Sequence, residues 1–513
     1  MSKLINIKSR FAPAPTGSLH LGSAHTAFFV WLFSKHNKGK FILRLEDSDI
    51  SNTSDEAKFT IIEELKWLGL VGDNERGVLQ SNRIKNGIYD KMLDILWQKN
   101  LVKEVDDGSG RGKVITYFPP EKKIIVKDIL RGEVVIKYSN SSDSQLSPFI
   151  IIRSDKTPVY NFACVVDDIL MEITHVIRGD DILSNTAKQI SLYNALEHPI
   201  PIFAHLSRIL DVDGKPLSKR RGSKSISQFK QEGYLSEAIL NYLALLGWSS
   251  PSGDEILSIK QIINEFTLER VRISPIRFDP VKLDYINAKY IRNLNIESLF
   301  IKFNDYLEEN NLKIDASKKW VNDFCKIYAP RCNNFRDLYK NSVIYTQDTV
   351  VYDKDLFLNY VIYPEVIPII NNFISLLENY STFNDLFIDD LRSISKKCNV
   401  TFKQTAQCIR VILLNSNHTP DLLAVLSLLD KIKIENRMQT CKKMLQSVNW
   451  PLVQSISNIL LQYQSLYNNT ESIIKNNKIP KSVSVQRITL ETQCFLKNKL
   501  DELIKIKNSL VDF

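Results

Sequence analysis

A histidine stands two residues before a glycine in residues 14–23, on a turn that contains proline and glycine. The turn leads from an expected strand into an expected helix. Gly17 would let a phosphate approach the free N–H groups at the helix N-terminus, where the helix dipole favours anions. His20 would point into the same space, and Gly22 would leave room for a base or ribose. Because His-x-Gly alone is a common pattern, a capping and packing role is the alternative.

A second segment, residues 213–224, is strongly basic. Five of its last ten residues are Lys or Arg and none is acidic, while Ser, Gly and Pro favour a loop. Such a loop can close over a triphosphate and neutralise charge as it shifts in the transition state. The alternative is a solvated basic turn.

Charged residues also stand at the ends of expected strands. Arg10 and Glu46 end the first two strands and Arg178 ends a later one, and this edge of an open α/β sheet faces the ligand. With Tyr160 beside them, two arginines and a glutamate could bind a small zwitterion that carries an extra carboxylate. Ordinary surface ion pairs are the alternative. Asp47, in an Asp-x-Asp pair, is expected to form a loop or helix-start salt bridge rather than a metal site.

Alternating strand and helix patterns position these residues. Strand, helix and strand are expected at residues 4–12, 19–35 and 41–45, and again at 173–177, 182–196 and 202–206, which predicts a parallel sheet. Between the two halves, a polar stretch at 100–112 and expected antiparallel strands at 114–118, 122–126 and 133–138 indicate an insert. After about residue 233 helical periodicity dominates, for example at 235–246, 255–266, 388–395, 402–414 and 420–429, and an amphipathic face recurs at 496–511.

The composition is that of an ordinary globular protein. The chain has 513 residues, 44% hydrophobic and 24% charged, with a net charge of +9. This excludes a disordered chain or a collagen, and no apolar run approaches the roughly 18 residues of a membrane span. The mild basic excess would suit a polyanionic partner if it clusters on one face, and a soluble surface that happens to be basic is the alternative. The seven cysteines are scattered and form no C-x-x-C motif, which argues against a zinc module and for a reducing compartment. The first residues contain no apolar signal core, so a cytoplasmic protein is expected.

Taken together, several segments resemble the bacterial-type glutamyl-tRNA synthetases, which are class I aminoacyl-tRNA synthetases. The signature segments are residues 10–17 (RFAPAPTG), 20–23 (HLGS), 41–47 (FILRLED), 158–162 (PVYNF), 165–168 (VVDD), 173–180 (ITHVIRGD) and 217–220 (LSKR). They occur in the order and spacing of that family. Residues 233–243 continue the resemblance and residues 404–429 resemble its anticodon-binding helices, so that it covers about residues 4–445.

The resemblance implies a domain organisation. The fold class is α/β: a Rossmann-like parallel-sheet catalytic domain with an inserted α+β connective domain, followed by all-α stem-contact and anticodon-binding domains. The implied boundaries are 1–80 and 151–225 for the catalytic halves, 81–150 for a shortened connective insert, 226–325 for the stem-contact domain, 326–445 for the anticodon-binding domain and 446–513 for a helical C-terminal extension.

The resemblance also implies an activity, which is ATP-dependent formation of glutamyl-adenylate and transfer of the glutamyl group to the terminal adenosine of tRNA. It implies that His20 and Lys219 are catalytic. The implied ATP-binding residues are Thr16, Gly17, His20, Gly22, Ser218, Lys219 and Arg220. The implied glutamate-binding residues are Arg10, Ala12, Glu46, Tyr160 and Arg178. Mg²⁺ is expected with the triphosphate and zinc is not. The implied partners are tRNA-Glu, L-glutamate and ATP, and whether tRNA-Gln is also charged stays open. The resemblance further implies a monomer that does not associate with a membrane.

The sequence departs from the family pattern at three positions. Ala14 replaces the usual Ser, His25 replaces an Arg, and Pro216 replaces the first Lys of the flexible loop. These changes motivate one alternative, a degenerate paralogue that binds tRNA without activating glutamate. A glutaminyl-tRNA synthetase is disfavoured by the sequence around His-x-Gly and by the helical anticodon region. The tRNA-modifying glutamyl-queuosine relative is disfavoured because it lacks the C-terminal helices.

Overall fold

The computed structural model describes residues 6–48, 53–74, 77–106, 108, 110, 112–138, 146–217 and 224–448, with scattered positions beyond. Ser218, Lys219 and Arg220 lie outside the described residues, as does the amphipathic face expected at 496–511. The chain forms two compact units, one of residues 1–310 with 331–337 and the other of residues 311–330 with 338–513. They are described separately.

The first unit contains all twelve described strands. They are β1 (Lys8–Phe11), β2 (Lys40–Leu45), β3 (Val78–Leu79), β4 (Val102–Asp106), β5 (Lys113–Tyr117), β6 (Lys123–Asp128), β7 (Gly132–Lys137), β8 (Phe149–Ile152), β9 (His175–Gly179), β10 (Ile202–Leu206), β11 (Ile209–Leu210) and β12 (Ile276–Arg277). Its helices are α1 (Leu21–His36), α2 (Asp55–Trp67), α3 (Gln80–Lys85), α4 (Asp90–Gln98), α5 (Tyr160–Leu170), α6 (Leu183–Ala195), α7 (Ile226–Gln231), α8 (Ser236–Leu245), α9 (Ile259–Glu265), α10 (Pro280–Asn293) and α11 (Ile296–Glu309).

The main sheet has seven strands in the order β3-β2-β1-β9-β10-β6-β7. All neighbours are parallel except the hairpin β6–β7 at one edge. The chain crosses from β1 through α1 to β2 on one side, and from β9 through α6 to β10 on the other. The strand order therefore reverses between β1 and β9, and a ligand crevice is expected at that point of an open α/β sheet.

The strands between the two halves pair differently from the expectation. The strands expected at 122–126 and 133–138 form an antiparallel pair, as expected, but this pair belongs to the main sheet rather than to a separate sheet of the insert, because β6 pairs in parallel with β10. The separate antiparallel sheet is β4-β5-β8 instead. Its strand β4 lies in the stretch expected to be a polar loop, since four of its five residues are exposed and give no apolar alternation.

Helices cover both faces of the main sheet. Phe33 of α1 packs on His175 of β9, while the next residue, Val176, belongs to a core with Ile190 of α6. Successive strand residues point to opposite faces, so α1 and α6 lie on opposite sides of the sheet. Eleven of the sixteen residues of α1 are buried, which agrees with the continuous apolar run from Ala27 to Phe33.

Helices are the only regular elements among the described residues of the second unit. Its helices are α12 (Lys318–Tyr328), α13 (Phe335–Thr346, from Leu338 onward), α14 (Lys354–Tyr360), α15 (Val366–Glu378), α16 (Asp385–Lys397), α17 (Phe402–Leu414), α18 (Leu422–Ser427) and α19 (Lys431–Gln446). The helices expected from periodicity at 388–395, 402–414 and 420–429 are confirmed. Arg437 lies in the core of this unit and donates to the carbonyl oxygens of Leu413, Ile344 and Gln347 at the ends of α17 and α13.

Candidate active site

A cavity of about 600 Å³ opens at the carboxyl ends of β1 and β9. Eight of the predicted site residues line it: Arg10, Ala12, Thr16, Gly17, His20, Gly22, Tyr160 and Arg178. Glu46 is not among the lining residues. Leu217 lines the cavity directly before the three predicted residues that lie outside the described part of the chain. The cavity therefore brings together the residues expected to bind the nucleotide and those expected to bind a carboxylate.

The His-x-Gly turn has the geometry that its glycines predict. Gly17 has a φ of +126°, a conformation that favours glycine. His20 caps α1, because its Nδ1 accepts a hydrogen bond from the Ser23 N–H at 3.2 Å. A Cβ on Gly22 would come within 3.1 Å of the His20 ring, so the glycine keeps space for that ring. His20 thus has the capping role of the alternative interpretation and also lines the cavity.

Glu64 of α2 ties this turn to α7. One carboxylate oxygen accepts from the Leu19 N–H at 2.6 Å, and the other accepts from the N–H and hydroxyl of Ser227 at 3.0 and 2.6 Å. The backbone of His20 also forms a bridge with Ser225. Glu64 is buried, so these bonds replace its hydration. The start of α7 is therefore fixed against the His-x-Gly turn.

A buried ion cluster lies under the cavity. The Nε of Arg10 donates to the Asp168 carboxylate at 3.1 Å, and Nη1 of Arg44 donates to the same carboxylate at 2.6 Å. Arg44 also donates to Glu46 at 3.1 Å. Burial alone would raise the pKa of Asp168, but the two guanidinium groups hold it below its usual value. Asp168 is therefore ionised and holds Arg10 in place.

The same cluster explains the position of Glu46. Its side chain is mostly buried and bonded to Arg44 rather than exposed in the cavity. Burial raises the pKa of Glu46, although Arg44 and Arg10 oppose the shift. Asp47, the next residue, accepts from Ser81 at the start of α3 and pairs with Lys58 at 2.9 Å. The predicted salt-bridge role of Asp47 is confirmed.

Arg178 is held by three protein partners. Its Nε donates to Nε2 of His205 at 3.1 Å, its Nη1 to Gln189 at 2.9 Å and its Nη2 to Thr186 at 2.8 Å. A guanidinium has five N–H groups, and the bonds to described residues use three of them, so one N–H on each terminal nitrogen remains for a ligand. Two parallel N–H groups match the two oxygens of a carboxylate.

Two further side chains shape the walls of the cavity. Tyr160 begins α5, and burial raises the pKa of its hydroxyl, which therefore stays protonated. His25 stands where the family usually has Arg, and burial lowers its pKa to about 4. Its Nε2 donates to the Leu246 carbonyl at 2.5 Å, so it is a neutral wall residue rather than a cation.

Comparisons with known proteins agree with this geometry. Residues 6–102 and 100–285 match the catalytic-domain model of the class I tRNA synthetases (E and Q). The chain belongs to this family. Residues 291–442 of the synthetase match an anticodon-binding domain model.

Relatives extend the match over most of the synthetase. A glutamate–tRNA ligase of Francisella philomiragia is 35% identical over 478 residues, which cover 85% of this chain and 99% of the relative. One of Petrotoga mobilis is 35% identical over 462 residues, 84% of this chain and 97% of the relative. The solved glutamate–tRNA ligase of Elizabethkingia meningosepticum, in complex with its amino acid, superposes with a TM-score of 0.72 at 25% identity, over 85% of this chain and 99% of that one.

Several residues that support the site have no role predicted from the sequence. Asp168 and Arg44 stand within the quoted motifs, whereas Glu64, Asp128 and His205 were not singled out. The signal that could have found them is a charged residue at an apolar position of an expected helix or strand. Among the described residues, no cluster of three His, Cys, Asp or Glu side chains suits a metal ion, and no helix is long and apolar enough to cross a membrane.

Proposed function

We propose that the protein is a glutamate–tRNA ligase, which activates L-glutamate with ATP and transfers it to tRNA-Glu. One observation carries the proposal: two buried arginines, Arg10 and Arg178, line the same cavity as the His-x-Gly turn. The arginines provide sites for carboxylates, and the turn provides N–H groups at a helix N-terminus for phosphates. The names of the relatives and the family membership support the choice of glutamate.

In the first step, the α-carboxylate of glutamate attacks the α-phosphorus of ATP and pyrophosphate leaves. A carboxylate is already a nucleophile, so positioning and charge neutralisation suffice. We assign Arg10 and Arg178 to the substrate carboxylates, Tyr160 and Ala12 to the pocket wall and Glu46 to the α-amino group. One carboxylate oxygen of Glu46 accepts from Arg44. The other carboxylate oxygen would accept from the α-amino group of glutamate.

The phosphates are assigned to the turn and to the basic loop. Thr16, Gly17, His20 and Gly22 would contact ATP, together with Ser218, Lys219 and Arg220. His20 and Lys219 would stabilise the charge that develops as pyrophosphate departs. Mg²⁺ would enter bound to the triphosphate oxygens, as part of the substrate.

In the second step, the terminal adenosine hydroxyl of tRNA attacks the activated carbonyl and AMP leaves. We propose catalytic halves at 1–80 and 151–225 around a connective segment at 81–150, from which β6 and β7 join the main sheet. Helical regions at 226–325 and 326–445 would contact the tRNA stem and anticodon, and 446–513 would form an extension. We further propose a cytoplasmic monomer, in keeping with the scattered free thiols.

A charging assay tests the proposal and the choice of tRNA. Purified enzyme, ATP and labelled glutamate are incubated with tRNA-Glu or tRNA-Gln transcripts, and acid-precipitable label is counted. We expect labelled tRNA-Glu. Label on tRNA-Gln as well would identify a non-discriminating enzyme, and label on neither would refute the proposed function.

A further inference from the structure

An aspartate–histidine pair lies behind Arg178, inside the sheet. Nδ1 of His205, on β10, is 2.6 Å from Oδ2 of Asp128, on β6. Both side chains are fully buried. Neither residue lines the cavity among the described residues. His205 contacts the guanidinium of Arg178, which lines the cavity, and it also lies 3.1 Å from the hydroxyl of Thr186, another partner of Arg178. Arg131 forms a second connection, because it donates to the His205 carbonyl and to Ser207, a cavity residue.

The hydrogen bonds fix where the proton of His205 lies. Nε2 accepts from Nε of Arg178 at 3.1 Å and so carries no proton. Nδ1 then carries the proton and donates it to Asp128. Charged groups around the ring are Asp128, Arg178 and Arg131. Burial lowers the pKa of His205 although Asp128 opposes the shift, in keeping with a neutral ring.

The other carboxylate oxygen of Asp128 is also hydrogen-bonded. Oδ1 accepts the backbone N–H groups of Leu130 and Arg131 at 2.9 and 2.8 Å, in the turn between β6 and β7. The carboxylate therefore cannot rotate without losing two bonds. Oδ2 must face His205, and only a hydrogen-bond acceptor at that position keeps the proton on Nδ1.

We propose that the Asp128–His205 pair positions Arg178 for the substrate carboxylate by holding His205 in the tautomer whose Nε2 accepts from Arg178. The inference rests on the proposed role of Arg178 in binding glutamate. Asp128 and His205 act through Arg178 and are positioning residues. The edge hairpin β6–β7, which the sequence suggested to be part of an insert, thereby contributes to recognition of the amino acid.

Asp128→Asn is the test variant, because it changes the proton pattern and little else. The two backbone N–H groups keep the amide oxygen at the Oδ1 position, so the amide NH₂ faces His205. The ring must then accept at Nδ1 and carry its proton on Nε2, where it faces the N–H of Arg178 and the hydroxyl of Thr186, both 3.1 Å away. A proton donated to Thr186 would compete with the bond that Arg178 donates to the same hydroxyl. Two donors facing each other would displace the guanidinium.

The readout is tRNA-Glu charging with glutamate or ATP varied in turn. We expect Asp128→Asn to raise KM for glutamate on the order of ten- to a hundredfold and to change KM for ATP by less than about twofold. Asp47→Asn is the matched control, since it also neutralises a buried carboxylate of this unit that accepts a backbone N–H. It should leave the ratio of the two KM values unchanged, whatever it does to the melting temperature.

A second variant keeps the test valid if Asp128→Asn is unstable. His205→Gln puts an amide oxygen, which has no tautomers, within reach of Arg178. In this background, adding Asp128→Asn should raise KM for glutamate by less than about twofold. An equal rise in both backgrounds would overturn the inference.

Nitrogen-15 NMR of labelled histidine gives a readout that does not depend on activity. The wild-type His205 signal should show the Nδ1–H form and the Asp128→Asn protein the Nε2–H form. An unchanged tautomer, or an unchanged KM for glutamate in a folded variant, would overturn the inference alone. Wild-type enzyme that fails to bind glutamate in calorimetry would refute the proposed function and this inference with it.

Discussion

Asp168→Asn should destabilise the first unit strongly. The carboxylate is 3.1 Å from Nε of Arg10 and 2.6 Å from Nη1 of Arg44, and all three side chains are at most 4% exposed. Asparagine keeps the volume but removes the charge. Arg44 would retain Glu46, whereas Arg10 would lose its carboxylate partner.

The magnitude follows from the burial of Arg10. Breaking a buried ion pair by removal of one partner costs about 3–5 kcal/mol, because the other charge stays buried. Whole domains have unfolding free energies of about 5–15 kcal/mol, so this loss would be a large fraction of the stability of the first unit. Glu63→Gln, which breaks an exposed pair with Lys66, serves as the control and should cost less than about 0.5 kcal/mol.

Urea denaturation at several pH values measures the effect. Since the folded-state pKa of Asp168 is lowered, its contribution is complete above its unfolded-state pKa and is lost as the pH falls through the lower folded-state pKa. The difference between wild type and Asp168→Asn should therefore be constant from about pH 7 to about pH 5. The reasoning would be refuted if Asp168→Asn lowered the free energy of unfolding by less than about 1 kcal/mol, or if the difference from wild type shrank between these pH values.

Other predictions concern the two signature loops and the helical unit. Lys219→Ala should sharply reduce adenylate formation and leave tRNA binding nearly unchanged, and equal exchange rates in mutant and wild type would remove Lys219 from the mechanism. Glu64→Ala leaves the donors of Leu19 and Ser227 unpaired and should lower kcat about tenfold or more, whereas Glu64→Gln, which keeps the acceptor oxygen, should restore part of it. Stopped-flow measurement of adenylate formation compares the Lys219 and Glu64 variants with wild type. Arg437→Met leaves three carbonyl oxygens unpaired and should cost about 2–4 kcal/mol, and an unchanged calorimetric transition of the helical unit would contradict this.

Local patterns predicted much of the fold. The parallel strands near residues 8–11, 40–45, 175–179 and 202–206 and the helices between them appear where apolar periodicity placed them. The pairing of β6 with β10 was not predictable, because an alternating pattern identifies a strand but does not identify its distant neighbour. β4 was missed because its exposed residues give no apolar alternation.

The residues of the candidate site also fall into a group that local patterns predicted and a group that they did not. Arg10, His20 and Arg178 were found because they stand at strand ends or in a motif. The residues that hold the arginines act across long separations: Arg44 and Asp168 are 124 residues apart and Asp128 and His205 are 77 apart. No spacing rule joins such pairs, and only the folded chain brings them into contact.

Glutamate-dependent exchange of pyrophosphate into ATP tests the proposed activity most directly. The reaction is run with glutamate without tRNA, with tRNA-Glu and with tRNA-Gln, and with aspartate and glutamine in place of glutamate. We expect exchange that requires glutamate and occurs in the presence of tRNA-Glu. The absence of exchange under every condition, by protein that still binds tRNA, would contradict the proposal. It would favour the degenerate paralogue suggested by Ala14, His25 and Pro216.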